Sequence, residues 1–171
     1  MTSPSPLEDA FAHHTWATLR LIDACVPLSI EQLQAPVPGA YGPILDTLRH
    51  FIGNEAFDLA VVQGSPSPLI ESEMMELPEL RALAAQSGEQ WLSVLRQPLE
   101  PAAMFLEVDP GDGFRREATF GVRLAQALHH ANEHRTQICS GLSMLGLAAP
   151  HLGAFSYGKT TGETTEVFPG R

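Results

Sequence analysis

The stretch Leu124-Ala125-Gln126-Ala127-Leu128-His129-His130-Ala131-Asn132-Glu133-His134-Arg135-Thr136-Gln137-Ile138 decides how the rest of the chain is read. At about 100° per residue, positions three and four apart share a helix face. Leu124, Leu128, Ala131, Ile138, Leu142 and Leu145 then form one apolar stripe, the core face of an amphipathic helix from about Val122 to Leu145. Gly146 follows as the expected C-cap. His130 and His134 lie one turn apart at the flank of the stripe, where Ala127 and Gly141 leave room beside them. His129 and Glu133 point away from the core. The adjacent pair His129-His130 is therefore not a unit, whereas His130 and His134 are.

Two imidazoles one turn apart can converge on a metal ion at about 2.0–2.1 Å from each nitrogen. Imidazole suits zinc, nickel, copper and iron rather than magnesium or calcium. Two ligands make a weak site, so a third must come from another element. His50 occupies the same flank of a second stripe, formed by Ile44, Leu48, Phe51, Leu59 and Val62. That helix starts near Pro43 and continues to about Gln63, where Gly64 and two prolines stop it. Three nitrogens from two helices leave a coordination position open, as catalytic sites do and structural ones do not. The H-x-x-x-H spacing is unspecific by itself, and without H-E-x-x-H a zincin arrangement is excluded.

Two further helices complete the pattern. One runs from about Leu7 to Val26, with Phe11, Thr15, Thr18, Ile22 and Cys25 on one face and Pro27 ending it. The other spans about Pro78 to Arg96, with Leu80, Leu83, Ser87, Trp91, Val94 and Leu95 inward. Trp91, Phe11 and Phe51 are most simply core. Phe105 to Asp109 and Phe114 to Phe120 flank Pro110-Gly111-Asp112-Gly113, a turn-rich spacer suited to a short hairpin. The residues after Gly146, about 147–171, read as an extended tail. The fold class expected is all-α, a four-helix bundle with a long connection before its last helix, in one domain of 171 residues.

Composition removes several function classes. Ten Lys and Arg stand against twenty Asp and Glu, a net charge of -10, so no cationic face exists to replace the counterions of nucleic acid. No run of eighteen apolar residues exists to span a membrane. The first residues carry no basic region followed by an apolar run, which makes a cytoplasmic location the expectation. Cys25 and Cys139 lie far apart and form no CxxC, so they read as small buried hydrophobes.

His130-Ala131-Asn132-Glu133-His134-Arg135-Thr136-Gln137 resembles the N-H-x-x-x-H-R-G-Q signature of DinB/YfiT-like proteins. Ile44 to Glu55, with Leu48-Arg49-His50 and a glutamate five residues on, is similar to that family's second helix, and the stretch around Trp16 and Leu21 to Cys25 fits its first. The resemblance covers roughly residues 7 to 146. It departs at His129, where the family has asparagine, and at Thr136, where it has glycine. It implies an up-down-down-up bundle, often a homodimer, with His50, His130 and His134 as metal ligands. Nickel or zinc is the metal it implies, and S-transfer or isomerisation with a low-molecular-weight thiol the chemistry.

Other candidates surround that site. Glu55 falls inside the apolar stripe of its helix, so its carboxylate must be paired. It reads either as a partner of a ligand histidine or general base, or as a structural bond to His14 or Trp16, the latter being preferred. Gln137 falls close to His130 on the helical wheel and is a candidate to support a ligand. Arg135 reads as a structural anchor, His13 and His14 as bundle-edge residues and His151 as surface. Three functions follow: a metal-dependent enzyme using a thiol, a metal-assisted hydrolase with Glu55 as base, and a non-catalytic, stress-linked metal-binding or interaction bundle.

Overall fold

The computed structural model describes residues 4–65, 74–98, 100–108 and 113–167. The chain is mostly helical. Its elements in order are α1 (Pro6–Cys25), α2 (Ile30–Leu33), α3 (Ile44–Gln63), α4 (Leu77–Leu95), β1 (Met104–Val108), β2 (Arg115–Thr119), α5 (Phe120–Met144) and α6 (Ala154–Thr161).

Local chemistry sets the ends. Ser5 and Glu8 close a capping box around Pro6, the first residue of α1, which satisfies two backbone donors that the helix leaves open. Thr119 Oγ1 accepts from the Val122 amide at the start of α5. Gly146 takes a φ of +74° just past the end of α5, the left-handed conformation that a C-terminal cap requires. The expected long helices are thus present within a residue or two of their expected limits.

α1 packs chiefly on α4, while α3 packs on both α4 and α5. Ion pairs Glu8–Arg96 and Asp23–Arg81 tie the two ends of α1 to α4. The helices approach closely at Gly88, where a Cβ would collide with Thr15. One apolar cluster gathers Leu21, Ile22, Leu48, Phe51, Leu80 and Ile138. A second gathers Phe11, Leu59, Trp91, Phe120 and Leu124. Phe11, Phe51 and Trp91 are fully buried, as the stripes require.

Between these clusters lies a buried polar layer. His14 Nε2 sits 3.0 Å from Glu55 Oε2, an ion-pair separation whose angle departs from a linear hydrogen bond. Arg135 Nη1 donates to His14 Nδ1 at 3.2 Å and to Thr18 Oγ1 at 3.0 Å. An acceptor role at Nδ1 puts the ring proton on Nε2, facing Glu55. The Glu55 carboxylate and the Arg135 guanidinium flank the ring and balance one another, so the layer is closed electrically.

The hairpin forms as β1 against β2, antiparallel, with Met104 opposite Thr119 and Val108 opposite Arg115. Of the expected turn, Pro110 to Gly113, only Gly113 is among the described residues, with a φ of +73°. Two short helices were not expected. α2 is a single turn nucleated by a Ser29–Gln32 capping box in a stretch too short to show periodicity. α6 interrupts the expected extended tail. It packs on α1, and His13 Nε2 meets the Leu152 carbonyl oxygen at 2.7 Å just before it. Gly, Thr and Ser composition masked α6, because tertiary docking and not propensity holds it there.

Candidate metal centre

α3 and α5 bring His50, His130 and His134 together. One ligand nitrogen from each ring lies within 4.8 Å of the other two. His130 Nε2 is central, 3.2 Å from His50 Nε2 and 3.0 Å from His134 Nε2. Two nitrogens bound to one ion at about 2.05 Å in a tetrahedral arrangement sit roughly 3.3 Å apart, so these separations fit shared coordination. They fit mutual hydrogen bonding less well. His134 Nδ1 lies 2.9 Å from Gln137 Oε1, an acceptor, so Nδ1 carries the proton and Nε2 keeps its lone pair. One proton on His50 or His130 can then satisfy only one of the two nitrogen contacts.

Neighbouring groups hold the rings in place. Gln137 Oε1 also accepts from the Tyr41 amide at 3.1 Å. Tyr41 stacks on His50 with centroids 3.9 Å apart and planes 15° apart, and meets His134 edge-on. Asn54 Nδ2 donates to the His50 carbonyl at 2.9 Å and rests against the ring. Burial, followed by the neighbouring His134 and His130, pulls His50 down to about 4. Burial and His134 also lower His130. Both rings are therefore neutral at pH 7, the form that binds a metal. Among the described residues only His14 is within ion-pairing distance of a carboxylate. No carboxylate of the described residues pairs directly with the cluster, and the pull of Glu133 on His130 is outweighed by burial and His134.

Of the other expected residues, Gln137 stands beside His134 rather than His130. Glu55 does not join the cluster. Its carboxylate is taken up by His14 in the polar layer, the structural bond preferred from the sequence. Arg135 anchors the same layer. His14 is fully buried rather than at a bundle edge. His129 and His151 are exposed, and neither belongs to the cluster. Cys25 is buried as expected, whereas Cys139 is only half-buried; burial pushes the Cys25 thiol up to about 12 and raises Cys139, which fits unreactive side chains.

A cavity of about 400 Å³ opens on one side of His50 and His130. Its far wall carries Asp58, Glu107, Arg116 and Arg123, with Asn54 and Gln126 also lining it. Arg123 Nη1 donates to Asp58 Oδ1 at 3.0 Å and to Glu107 Oε2 at 2.7 Å. Burial raises Asp58 to about 6 against the downward pull of Arg123. None of these residues was singled out from the sequence. Asn54 and Asp58 lie one and two turns beyond His50, a spacing that could have flagged them. Arg123 is a cation in the first turn of α5, where the helix dipole disfavours it, and that conflict was the available signal. Tyr41 lies in a Pro- and Gly-rich loop that carries no periodicity.

Fold and site together define a helical bundle bearing a cluster of three histidines that is compatible with metal binding. The chain belongs to the DinB family, whose profile matches residues 3–166. Its fold is similar to the crystal structure of a DinB-like protein from Bacillus cereus, with a TM-score of 0.65, 14% identity, and coverage of 85% of this chain and 94% of that one. No curated protein matches it.

Proposed function

We propose that this protein is a metal-dependent enzyme whose resident ion, nickel or zinc, is held by His50, His130 and His134, and whose nucleophile is a low-molecular-weight thiol. The observation that carries the reading is the convergence of three imidazole nitrogens with no carboxylate of the described residues at ion-pairing distance. A bound divalent ion would supply Lewis acidity and lower the pKa of a coordinated water or thiol. The chain's own residues do the rest. Gln137 keeps the lone pair of His134 turned inward, Tyr41 covers the His50 ring, and the cavity beside His50 and His130 offers room for a small molecule.

We also infer the up-down-down-up order. Glu8 meets Arg96 and Asp23 meets Arg81, so α1 and α4 run in opposite directions; Asp58 meets Arg123 while His50 meets His130, so α3 and α5 do too. Phe11 shares a cluster with Leu124 and Leu21 with Ile138, so α1 and α5 run the same way. The homodimer rests on the resemblance alone.

The metal-assisted hydrolase with Glu55 as base draws no support from this geometry, because His14 engages the Glu55 carboxylate. The decisive experiment has two parts. Protein purified without chelators or an affinity tag is expected to hold close to one equivalent of nickel or zinc by mass spectrometry. Less than about a tenth of an equivalent would favour a non-catalytic bundle, since an occupied site holds metal near stoichiometry. The loaded protein is then assayed with an electrophile and a panel of cellular thiols, and no metal-dependent turnover with any thiol would overturn the transferase reading.

A further inference from the structure

We propose that the cavity beside His50 and His130 binds a carboxylate-bearing substrate, whose carboxylate docks on Arg123 at the end away from the histidines. The inference rests on the metal reading for what happens at the other end of the cavity.

Arg123 is 3% exposed and lines the cavity. Its Nη1 is occupied by Asp58 and Glu107. Its Nε and Nη2 are buried and have no hydrogen-bond partner among the described residues. Those two nitrogens form one edge of the guanidinium, with two parallel N–H groups spaced to meet the two oxygens of a carboxylate. Buried charged donors without acceptors are costly, so a side chain kept this way is short of an acceptor on that edge. The acids that hold Nη1 fix the plane of the fork and so orient the free edge.

Charge narrows the ligand class. Arg116 and Arg123 face Asp58 and Glu107, so the protein's own groups at this end roughly cancel. A phosphate dianion beside two carboxylates would add two like charges, whereas a carboxylate adds one. Dimensions agree. Asp58 follows His50 by eight residues on one helix, a rise of about 12 Å. A molecule held at Arg123 with its reacting carbon near the histidines is therefore a small one, in keeping with the cavity of about 400 Å³. Asn54, one turn from each, lies between the two ends and offers an amide to polar groups in the middle of such a molecule.

The test compares benzoate with benzamide, its neutral isostere, by calorimetry on metal-free and on zinc-loaded protein. In both, benzoate is expected to bind at least tenfold more tightly than benzamide. Arg123→Lys, which keeps the charge but loses the flat edge, is expected to remove most of that preference. Arg123→Gln is expected to remove all of it. Because Arg123 also holds two acids, Ala118→Phe serves as a second variant. It adds bulk to the cavity wall from β2 at a residue that takes part in no ion pair and is expected to abolish benzoate binding in a protein that remains folded by circular dichroism. Equal binding of benzoate and benzamide, no binding of either, tighter binding of phenyl phosphate than of benzoate, or an unchanged preference in Arg123→Lys would each overturn the proposal. Benzoate binding by metal-free protein separates this proposal from the metal reading, which is judged by metal content alone.

Discussion

The same helices, α3 and α5, build two histidine sites that differ in one respect. In the polar layer, His14 lies between the Glu55 carboxylate and the Arg135 guanidinium, and the charges close on themselves. In the cluster, His50, His130 and His134 face one another with no carboxylate of the described residues at ion-pairing distance. The first arrangement is complete without a ligand and ties α1 to both helices. The second leaves lone pairs unsatisfied, which is how a protein keeps a place for an ion. Both contain imidazoles in tight contact, so counter-charge rather than histidine content separates structure from site.

The comparison breaks most sharply if His130 proves dispensable. His130 Nε2 is the nitrogen shared by both contacts in the cluster. His130→Ala is expected to lower affinity for nickel or zinc by more than about a thousandfold, since two remaining imidazoles make a weak site. Competition with a metallochromic indicator measures it. Thermal stability of the metal-free variant should change little, because the ring is only half-buried and makes no direct ion pair among the described residues.

The polar layer should show the reverse. Glu55→Gln leaves the charge of Arg135 buried without a counter-ion, and breaking a buried pair in this way costs about 3 kcal/mol. Urea unfolding of the metal-free protein is the measurement, with metal stoichiometry left unchanged. A large loss of metal affinity with unchanged stability would instead make Glu55 a partner of the cluster.

Much of this contrast was legible in the sequence, because helical periodicity carries it. The four long helices, the flank positions of His50, His130 and His134, and the need to pair Glu55 all follow from 3.6 residues per turn and the cost of burying charge. What escaped depends on contacts between distant segments. Tyr41 reaches the cluster through a loop whose path no local pattern dictates. Arg123 and Glu107 come together only once the hairpin folds against α5. The docking of α6 on α1 is likewise tertiary, which is why a polar, glycine-containing segment read as extended.

Gln137 tests whether the cluster is tuned from outside. Its Oε1 accepts both the His134 Nδ1 proton and the Tyr41 amide. Gln137→Leu removes that acceptor and frees His134 to place its proton on Nε2, where a metal would otherwise bind. Loss of such a supporting bond typically weakens metal binding by about 10- to 100-fold. The same indicator competition reads the change, which should be smaller than that of His130→Ala. An unchanged affinity would mean that the ring is oriented by packing against Phe51 and Tyr41 instead.

The smallest effect is the response of the metal-free protein to acid. His50 falls from 6.5 to about 4 in the folded protein, and His130 is lowered as well. Between those limits the unfolded chain binds more protons than the folded one, so stability present above about pH 6.5 is lost as the pH falls towards 4. Asp58 runs the other way, because a carboxyl raised from 3.8 to about 6 adds stability on acidification through that range. The wild-type curve therefore mixes opposing slopes. Subtracting the curve of His50→Gln isolates the ring, and the variant should lose less stability than wild type between pH 7 and pH 5 by urea unfolding. Saturating zinc should make the wild-type dependence steeper, because protons then compete with the ion for the same nitrogens. An acid response identical in the two proteins, with and without zinc, would place His50 in an environment no different from solvent and remove the distinction between the cluster and an ordinary surface histidine.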